Sequence, residues 1–412
     1  MAAPKQINIP PNTDITDRAQ SSDAFKIEAD SPAALDNAPH RKLRAVVFGG
    51  GIGMFPPLAE RFRGEFEIVA ALRPSIPVWY AWWFRLISVR WPRTAWYRKW
   101  RYYLEKTPSA FRILTRDAAR QLEALEGQYD VILFLGAMYA PGIEKKKPLF
   151  LFTDSCRWLS SRNIHDEISH FHSARDESEW FALEGEVYRS ASRIFVGSGF
   201  VREALINHYG IAPERAVTSG FGAGPLFGAP YKKVFDGKTI LYIGKGDFEK
   251  KGGVLLMKAF EKVRAVLPQA ELHIVGQDRL PAADGVINHG FVRDKDRLVG
   301  LMRSAHVFAL PSLVDRNPIS ILEAMAAATP CVASDYGAMP GMVEDAGIIV
   351  PCKDIDALAT ALLTILRDKD LARTLGERGR RRYENIYNWD SVWQIVRGEM
   401  RVVLESQSGS KE

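Results

Sequence analysis

Cysteine is scarce in this chain of 412 residues, which contains only Cys156, Cys331 and Cys352. Their spacing matches neither a disulfide framework nor a zinc site, and it indicates a reducing compartment. No apolar run reaches the roughly 18 residues that a membrane-spanning helix needs. The first residues also lack the apolar stretch of a signal peptide. We therefore expect a cytoplasmic protein without a spanning segment.

The composition that remains is that of a globular protein, with 47% hydrophobic and 25% charged residues. A chain of this length is expected to fold as two domains. Residues 1–40 are rich in Ser, Asp, Asn and Pro and have no hydrophobic period, so they are predicted to be a disordered tail. The formal net charge of +6 suits an anionic substrate, an anionic membrane surface or nucleic acid, and does not choose among them.

Short apolar strands alternate with helical patterns in two series along the chain, and this alternation indicates parallel sheets. A stretch rich in Gly and Pro, residues 222–238, separates the two series. We predict an α/β protein with two Rossmann-like domains, residues 41–225 and 239–388. A last helix, residues 389–412, is expected to cross back onto the first domain. The predicted strands are 43–48, 129–134, 148–152, 192–196, 239–243, 270–275, 306–310, 330–333 and 347–350.

A basic glycine loop, residues 244–253, follows the first predicted strand of the second domain. Glycine lets the backbone approach a ligand, and lysine supplies a point charge for phosphate. Taken alone, the pattern is explained equally well by a solvated basic loop at the start of a helix.

A second feature is the predicted start of a helix at residues 317–321. Asn317 suits the N-cap and Pro318 the first helical position. The amides of Ile319, Ser320 and Ile321 would then point out of the helix N-terminus, which is a favourable site for a diphosphate.

Two carboxylates flank this helix start: Asp315 precedes it and Glu323 lies a little over one turn inside it. A surface glutamate is one interpretation of Glu323. However, its helix is apolar nearly all round, so the sequence favours a buried carboxylate that requires a partner. We expect both groups to accept hydrogen bonds from sugar and ribose hydroxyls.

These segments resemble glycosyltransferase family 4, retaining enzymes of the GT-B fold, in which two Rossmann-like domains face each other across a cleft. The resemblance covers nearly all of residues 239–395 and is most specific over residues 305–334. In the first domain it is thinner. The matching features are Gly244-Lys245, Lys251-Gly252, the strand ending at Gly276, the turn Gly290-Phe291-Val292, the string Leu322-Glu323-Ala324-Met325-Ala326 and Trp389-Asp390.

The resemblance implies a metal-independent transfer from a nucleoside-diphosphate sugar, which serves as co-substrate without a further cofactor. It implies a glycan, a lipid-linked molecule or a small molecule as acceptor. The implied catalytic residues are Lys245, Lys251, Asp315 and Asp154, and the implied donor-binding residues are Gly50, Gly51, Gly244, Gly276, Phe291, Pro318, Ile319, Ser320 and Glu323. This chain departs from the family in having Asp315 where glutamate is usual and Lys245 where arginine is common.

The first domain contributes two weaker features. Gly49-Gly50-Gly51 follows the first strand but lacks the spacing of a dinucleotide fingerprint, so the sequence disfavours an NAD enzyme. Asp154 ends a predicted buried strand. It is interpreted either as a residue that orients the acceptor or the sugar, or as the N-cap of the next helix.

No metal site is predicted. His170 and His172 have the spacing of a ligand pair but lack an evident third ligand, so we interpret them as surface or packing residues. The Asp-x-Asp strings at 294–296, 354–356 and 368–370 do not directly follow apolar strands in the setting of a metal site, and we interpret them as helix starts or loops.

Residues 79–103 interleave eleven aromatic residues with six basic ones. Three interpretations are open: an insertion packed on the first domain, an anionic membrane or lipid-acceptor surface, and a carbohydrate groove. A membrane surface would place the protein peripherally on the inner face of the membrane. Nucleic acid is not expected, because no binding module for it accompanies the segment. The alternatives to an enzyme are a GT-B scaffold or sugar-nucleotide binder and a peripheral membrane protein.

Overall fold

The computed structural model describes residues 42–49, 56–89, 93–141, 147–163, 170–223, 231–235 and 238–408. The predicted tail, Gly50 and Gly51 lie outside the described residues, as do parts of the predicted linker.

The first domain is a parallel sheet with helices between its strands. Its strands are β1 (Arg44–Phe48), β2 (Glu67–Leu72), β3 (Val131–Leu135), β4 (Leu149–Thr153), β5 (Arg193–Val196) and β6 (Ala216–Thr218). Its helices are α1 (Pro56–Glu65), α2 (Val78–Ile87), α3 (Arg93–Glu105), α4 (Pro108–Glu123), α5 (Arg157–Arg162), α6 (Ala174–Ser190) and α7 (Gly199–Tyr209). The described strands stand in the order β2-β1-β3-β4-β5-β6. The central strands are nearly continuous apolar runs because both faces of the sheet are covered.

The second domain repeats this architecture. Its strands are β7 (Thr239–Ile243), β8 (Glu271–Val275), β9 (Val286–Asn288), β10 (Val307–Leu310), β11 (Cys331–Ser334) and β12 (Gly347–Val350). Its helices are α8 (Gly253–Val266), α9 (Lys295–Ser304), α10 (Ile319–Ala326), α11 (Met339–Val343), α12 (Ile355–Arg367) and α13 (Lys369–Arg382). The described strands stand in the order β12-β11-β10-β7-β8-β9, and all neighbours pair in parallel.

All nine predicted strands are present, with ends that differ by at most two residues. Three strands, β2, β6 and β9, were not predicted, and each lies at an edge of its sheet. β6 and β9 have three residues each, and β2 is only half-buried along its length. β6 and β9 are shorter than the run of four to eight residues on which the sequence prediction depends. β2 does contain an apolar run, Ile68–Leu72, which the sequence prediction missed.

The last helix, α14 (Trp389–Ser408), covers one face of the first sheet. Its apolar side, which includes Val392, Val396 and Met400, is buried in one cluster with residues of β1, β3, β4 and β5. An ion pair from Arg193 to Glu399, with 2.8 Å between Nε and Oε2, joins β5 to the same helix. The predicted crossing of the chain back to the first domain is therefore present.

The carboxyl edges of the two sheets face each other. Gly197 directly follows β5, and a Cβ built on it would overlap Asn317, which follows β10. Asn163, at the end of α5, donates hydrogen bonds from Nδ2 to the Leu313 carbonyl oxygen at 3.3 Å and to the Tyr336 hydroxyl at 2.6 Å. These contacts join loops at the same edge of each sheet, which confirms the predicted GT-B arrangement.

Candidate active site

The ends of β7, β8 and β9 are held together by glycine backbone. The Gly244 amide donates to the Val275 carbonyl at 3.0 Å, and the Gly276 amide donates to the Gly290 carbonyl at 2.8 Å. Gly276 has a φ of 98°, and a Cβ on it would lie 2.7 Å from the Gly244 carbonyl oxygen. Only glycine fits this position without displacing the backbone.

Lys245 and Phe291 lie side by side at this edge. The Lys245 ammonium is 5.4 Å from the centre of the Phe291 ring, within the range of a cation–π contact. The ring is 48% exposed, and the lysine is exposed as well. Lys245 and Phe291, which were both predicted to contact the sugar nucleotide, are therefore open to an anionic ligand.

The basic glycine loop docks onto the loop that follows β10. Gly252 has a φ of 77°, and a Cβ there would overlap the Pro311 carbonyl oxygen. The Leu313 amide donates to the Lys250 carbonyl at 2.9 Å. This docking brings the Lys251 Nζ to 3.4 Å from the Asp315 Oδ2, so two predicted catalytic residues form one ion pair.

Asp315 is oriented by two buried serines that the sequence analysis did not identify. The Ser312 Oγ accepts hydrogen bonds from the amides of Val314 and Asp315, at 3.3 and 3.2 Å. The Ser334 Oγ, at the end of β11, donates to the Ser312 carbonyl at 2.5 Å. Ser312 lies just after the end of β10. A serine at this position was the available sequence signal for an ordered turn, because serine side chains commonly organise turns.

The start of α10 differs from the prediction. Pro318 occupies the N-cap and Ile319 is the first helical residue, so Asn317 does not cap the helix. The Ile321 amide is not free, because it donates to the Pro318 carbonyl at 3.1 Å. The Asn317 side chain instead lies against Gly197 of the first domain. The amides of Ile319 and Ser320 remain at the helix tip for an anion.

Glu323 lies one turn inside α10 and is half-buried. Burial raises the pKa of its carboxyl group to about 7. In the part of the chain that the structure describes, this carboxylate has neither a hydrogen-bond partner nor an ion-pair partner. A half-buried acceptor without a donor is well suited to ligand hydroxyls.

Comparison with known families identifies the second domain. Residues 237–368 match the family model for glycosyl transferases group 1. The match covers most of the second domain, which we call the group 1 domain. The matched range includes the basic glycine loop, Phe291 and both carboxylates of the site.

Curated relatives show the same similarity over part of their length. The chain is 35% identical over 186 residues to a phosphatidyl-myo-inositol mannosyltransferase of Mycolicibacterium smegmatis, a match that covers 42% of this chain and 47% of the relative. It is 27% identical over 224 residues to the MMP alpha-(1->4)-mannosyltransferase of Mycolicibacterium hassiacum, covering 51% of this chain and 54% of the relative. The matched segment thus spans about half the length of these relatives.

Solved structures match over most of the chain and show the fold. Sucrose-phosphate synthase from Thermosynechococcus elongatus aligns with a TM-score of 0.63 at 18% identity, covering 89% of this chain and 100% of that one. The Anabaena protein HepE in complex with UDP and glucose aligns with a TM-score of 0.59 at 15% identity, covering 87% and 100%. The group 1 domain is therefore the second half of a GT-B fold.

Across from the group 1 domain, Asp154 is exposed at the carboxyl end of β4. Its interpretation as a helix cap is wrong, because α5 has Cys156 at its N-cap position and no side-chain cap. The Arg157 amide at the start of α5 donates instead to the buried Glu184 carboxylate, at 3.1 Å from Oε1. A role for Asp154 toward the acceptor or the sugar stays a prediction.

The residues that resembled metal ligands have structural roles. The first aspartate of each Asp-x-Asp string, Asp294, Asp354 and Asp368, is the N-cap of a helix and accepts bonds from its amides. His172 stacks on Tyr102 with 3.7 Å between ring centres. Within the described ranges, no group of three or more His, Cys, Asp or Glu side chains could hold a metal ion.

The aromatic segment is partly packed on the first domain, so core packing explains its inner side and leaves its outer side unexplained. Tyr80 and Tyr102 are buried, but Trp79, Trp82 and Trp83 are 69%, 56% and 58% exposed. Among the described residues, no helix is both long enough and apolar enough to cross a membrane.

Proposed function

We propose that the protein transfers a sugar from a nucleoside-diphosphate sugar to an acceptor, with retention at the anomeric carbon and without a metal ion. The observation that carries the proposal is the meeting of Lys251, Asp315 and the tip of α10 at the carboxyl edge of the second sheet. Open α/β sheets bind their ligands at this edge.

The cationic groups of the site are suited to the leaving diphosphate. Lys245 and Lys251 supply positive charge, and the amides of Ile319 and Ser320 supply donors at a helix N-terminus. Preorganised groups of this kind stabilise the charge that develops as the bond to the sugar breaks. This is the chemical role that we assign to them.

The two carboxylates are suited to hydroxyl groups of the same donor. Asp315, freed from Lys251 when the diphosphate takes over that ammonium, accepts bonds from the transferred sugar. Glu323 accepts from the ribose, which gives its carboxylate the donors that it lacks in the free protein.

The proposed step breaks the bond between the anomeric carbon and the diphosphate oxygen and forms the bond to the acceptor oxygen on the same face of the sugar. The proton of the acceptor hydroxyl passes to the departing diphosphate. Contact between the two domains around Asn163 and Asn317 supports a closed cleft that excludes water from this step.

Metal independence is supported by the hydrogen bonds that the first aspartate of each Asp-x-Asp string accepts from helix amides. Asp294, Asp354 and Asp368 each hold one carboxylate oxygen at a helix N-cap, which gives these strings a structural role and disfavours them as bridges between a metal ion and a diphosphate. The lysines and the helix tip supply the positive charge that a metal ion provides in other transferases.

The acceptor that we propose is a lipid-linked molecule, ahead of a glycan or a small molecule. Curated relatives are named as mannosyltransferases acting on phosphatidyl-myo-inositol, and this supports a hexose donor and a lipid acceptor. Such an acceptor would place the protein peripherally on the inner face of the membrane.

A scaffold without transferase activity is the second candidate, and it is favoured by Asp315, which stands where the family usually has glutamate. Replacing Asp315 by Glu separates the two. A scaffold stays inactive in Asp315→Glu, whereas an enzyme shows transfer in the wild-type protein and a changed rate in the variant.

The first experiment is a thermal-shift screen of the full chain against UDP-, GDP- and ADP-sugars with EDTA present. We expect a rise in Tm with one class of donor, lost in Glu323→Ala and kept in the control Glu261→Ala, an exposed glutamate on α8. No shift with any donor would contradict the proposal. A shift that requires Mg²⁺ would contradict its metal-independent form.

A further inference from the structure

Helix α2 presents an apolar face to solvent. Its outward side chains are Val78, Trp79, Trp82, Trp83 and Leu86, which are 71%, 69%, 56%, 58% and 64% exposed. Their spacing places them on one side of the helix. We call these five residues the Trp79 face. Soluble surfaces seldom leave so many large apolar side chains together without a function.

The inner side of α2 is firmly packed, so the Trp79 face is held outward. Tyr80 is buried, and Phe84 stacks on Tyr103 of α3 with 4.6 Å between ring centres. The indole N–H groups of Trp96 and Trp100 on α3 donate to the carbonyl oxygens of Arg85 and Ala81, both at 3.0 Å. Because its inner side is already satisfied, α2 cannot bury its outer side by turning over.

Charge indicates the kind of partner. Residues 79–103 contain six basic residues and no acidic residue, a number equal to the formal net charge of +6 of the whole chain. The Arg85 guanidinium lies 5.2, 5.4 and 5.7 Å from the rings of Trp82, Trp96 and Trp100. Tryptophan together with arginine and lysine is the combination found where a protein meets headgroups and acyl chains.

We propose that the Trp79 face inserts into the headgroup region of an anionic bilayer, with α2 lying in the plane of the membrane. The ten residues of α2 span roughly 15 Å, about half of a hydrocarbon core, so the helix can lie in the interface and cannot cross it. The inference extends the proposed function by naming the surface on which a lipid-linked acceptor is met. Docking itself needs neither donor nor transfer.

The test is co-sedimentation of the full chain with vesicles of phosphatidylcholine alone and of phosphatidylcholine with an equimolar amount of phosphatidylglycerol. The variant is Trp79→Ser/Trp83→Ser/Leu86→Ser. The matched control is Val266→Ser/Ile287→Ser/Val402→Ser, which removes three exposed apolar side chains elsewhere. We expect the wild-type chain and the control to bind the anionic vesicles, and the variant to bind on the order of a hundredfold more weakly.

A second measurement needs no substitution. Brominated acyl chains in the anionic vesicles should quench the tryptophan fluorescence of the wild-type chain, and added salt should reduce both quenching and binding. Equal binding of the variant and the control overturns the inference, as does wild-type binding without preference for the anionic lipid. Self-association through the Trp79 face without vesicle binding would assign the face to a second copy instead.

The outcome is separable from that of the proposed function. The variant keeps every residue of the candidate active site, so a donor-induced rise in Tm should persist in it. Loss of vesicle binding with a retained donor shift supports docking. Absence of the donor shift from the wild-type chain contradicts the transferase and leaves the vesicle result to stand on its own.

Discussion

The Lys251 ammonium lies 3.4 Å from the Asp315 carboxylate, although the two residues belong to loops that follow different strands, β7 and β10. These strands are neighbours in the second sheet, so their carboxyl ends open at the same place. Both side chains keep contact with solvent, at 27% and 21% exposure, and such a pair adds about 0–1 kcal/mol to stability. A pair that contributes so little to folding can be exchanged for ligand contacts at low cost.

Replacing Lys251 by Met should therefore impair transfer far more than it impairs folding. Loss of one preorganised cation at the leaving group is expected to lower kcat by roughly 10²–10³-fold. The free energy of unfolding should change by less than about 1 kcal/mol. Steady-state release of the nucleoside diphosphate measures the first quantity, and urea unfolding the second.

The neighbouring Lys250→Met is the control for this prediction. Lys250 has a long 3.8 Å ion pair with Asp247 and is not among the predicted donor contacts. Its substitution should leave kcat nearly unchanged. Equal losses in the two variants would show that general charge of the loop matters and that the position of Lys251 does not.

Donor affinity should depend on pH through Glu323. Burial raises the pKa of this carboxyl group to about 7, above its ordinary value of 4.5, so in the free protein it is protonated at mildly acidic pH. Ribose hydroxyls bind the ionised form best, so binding below this pKa must release a proton. The association constant should thus rise close to tenfold per pH unit up to about 7 and level off above it.

Calorimetric titration with an intact sugar nucleotide, whose diphosphate does not titrate in this window, measures the effect. Glu323→Gln should bind more weakly and show a flat profile, because the amide carries no titrating proton. A wild-type slope that survives in Glu323→Gln would assign the proton to another group. Glu184 is then the first candidate, because burial raises its pKa to about 7 as well.

The grouping of several candidate residues at one sheet edge could be predicted because each of them follows the end of a strand. Gly244, Lys251 and Asp315 each follow an apolar strand, and parallel strands bring such positions to one edge. The predictions at the start of α10 were less accurate. The N-cap is Pro318, one residue later than the predicted Asn317. The Ile321 amide donates to the Pro318 carbonyl oxygen, so it is not free for a ligand.

Contacts between distant residues could not be predicted. Ser334 orients the Asp315 loop through Ser312, and Asn163 reaches Tyr336, and neither pairing has a local sequence signal. The sequence also did not predict which side of helix α2 faces solvent. Both sides of α2 are aromatic, so no hydrophobic period distinguishes the buried Tyr80 from the exposed Trp79.

The hydrogen bond between Asn163 and Tyr336 joins the two domains, and it should appear as a coupling energy. Asn163→Ala and Tyr336→Phe each remove the 2.6 Å bond, so the double variant should be less destabilised than the sum of the single variants. We expect a coupling of about 0.5–1.5 kcal/mol in urea unfolding. A cycle of Tyr336→Phe with Asn207→Ala, an exposed residue on α7, should give none. Equal coupling in both cycles would contradict a direct contact.

Lys233, between the two domains, should stabilise the second domain by closing the end of α9. Its ammonium donates to the carbonyl oxygens of Arg303 and Ala305 at 3.0 and 2.6 Å and to the Thr329 Oγ1 at 2.6 Å. These carbonyls lack partners within the helix, so Lys233→Met leaves them buried and unpaired. The free energy of unfolding should fall by about 2–4 kcal/mol, against less than about 0.5 kcal/mol for the exposed Lys232→Met.

The pH dependence of the same variant tests the assignment further. Burial lowers the pKa of Lys233 to about 7, below its ordinary value of 10.5, so the unfolded chain binds the extra proton between these values. Wild-type stability should therefore gain with rising pH over this window, and the gain should be smaller in Lys233→Met. Parallel pH profiles for the two proteins would mean that the ammonium keeps an ordinary pKa, with its charge fully stabilised by the carbonyl oxygens at the end of α9.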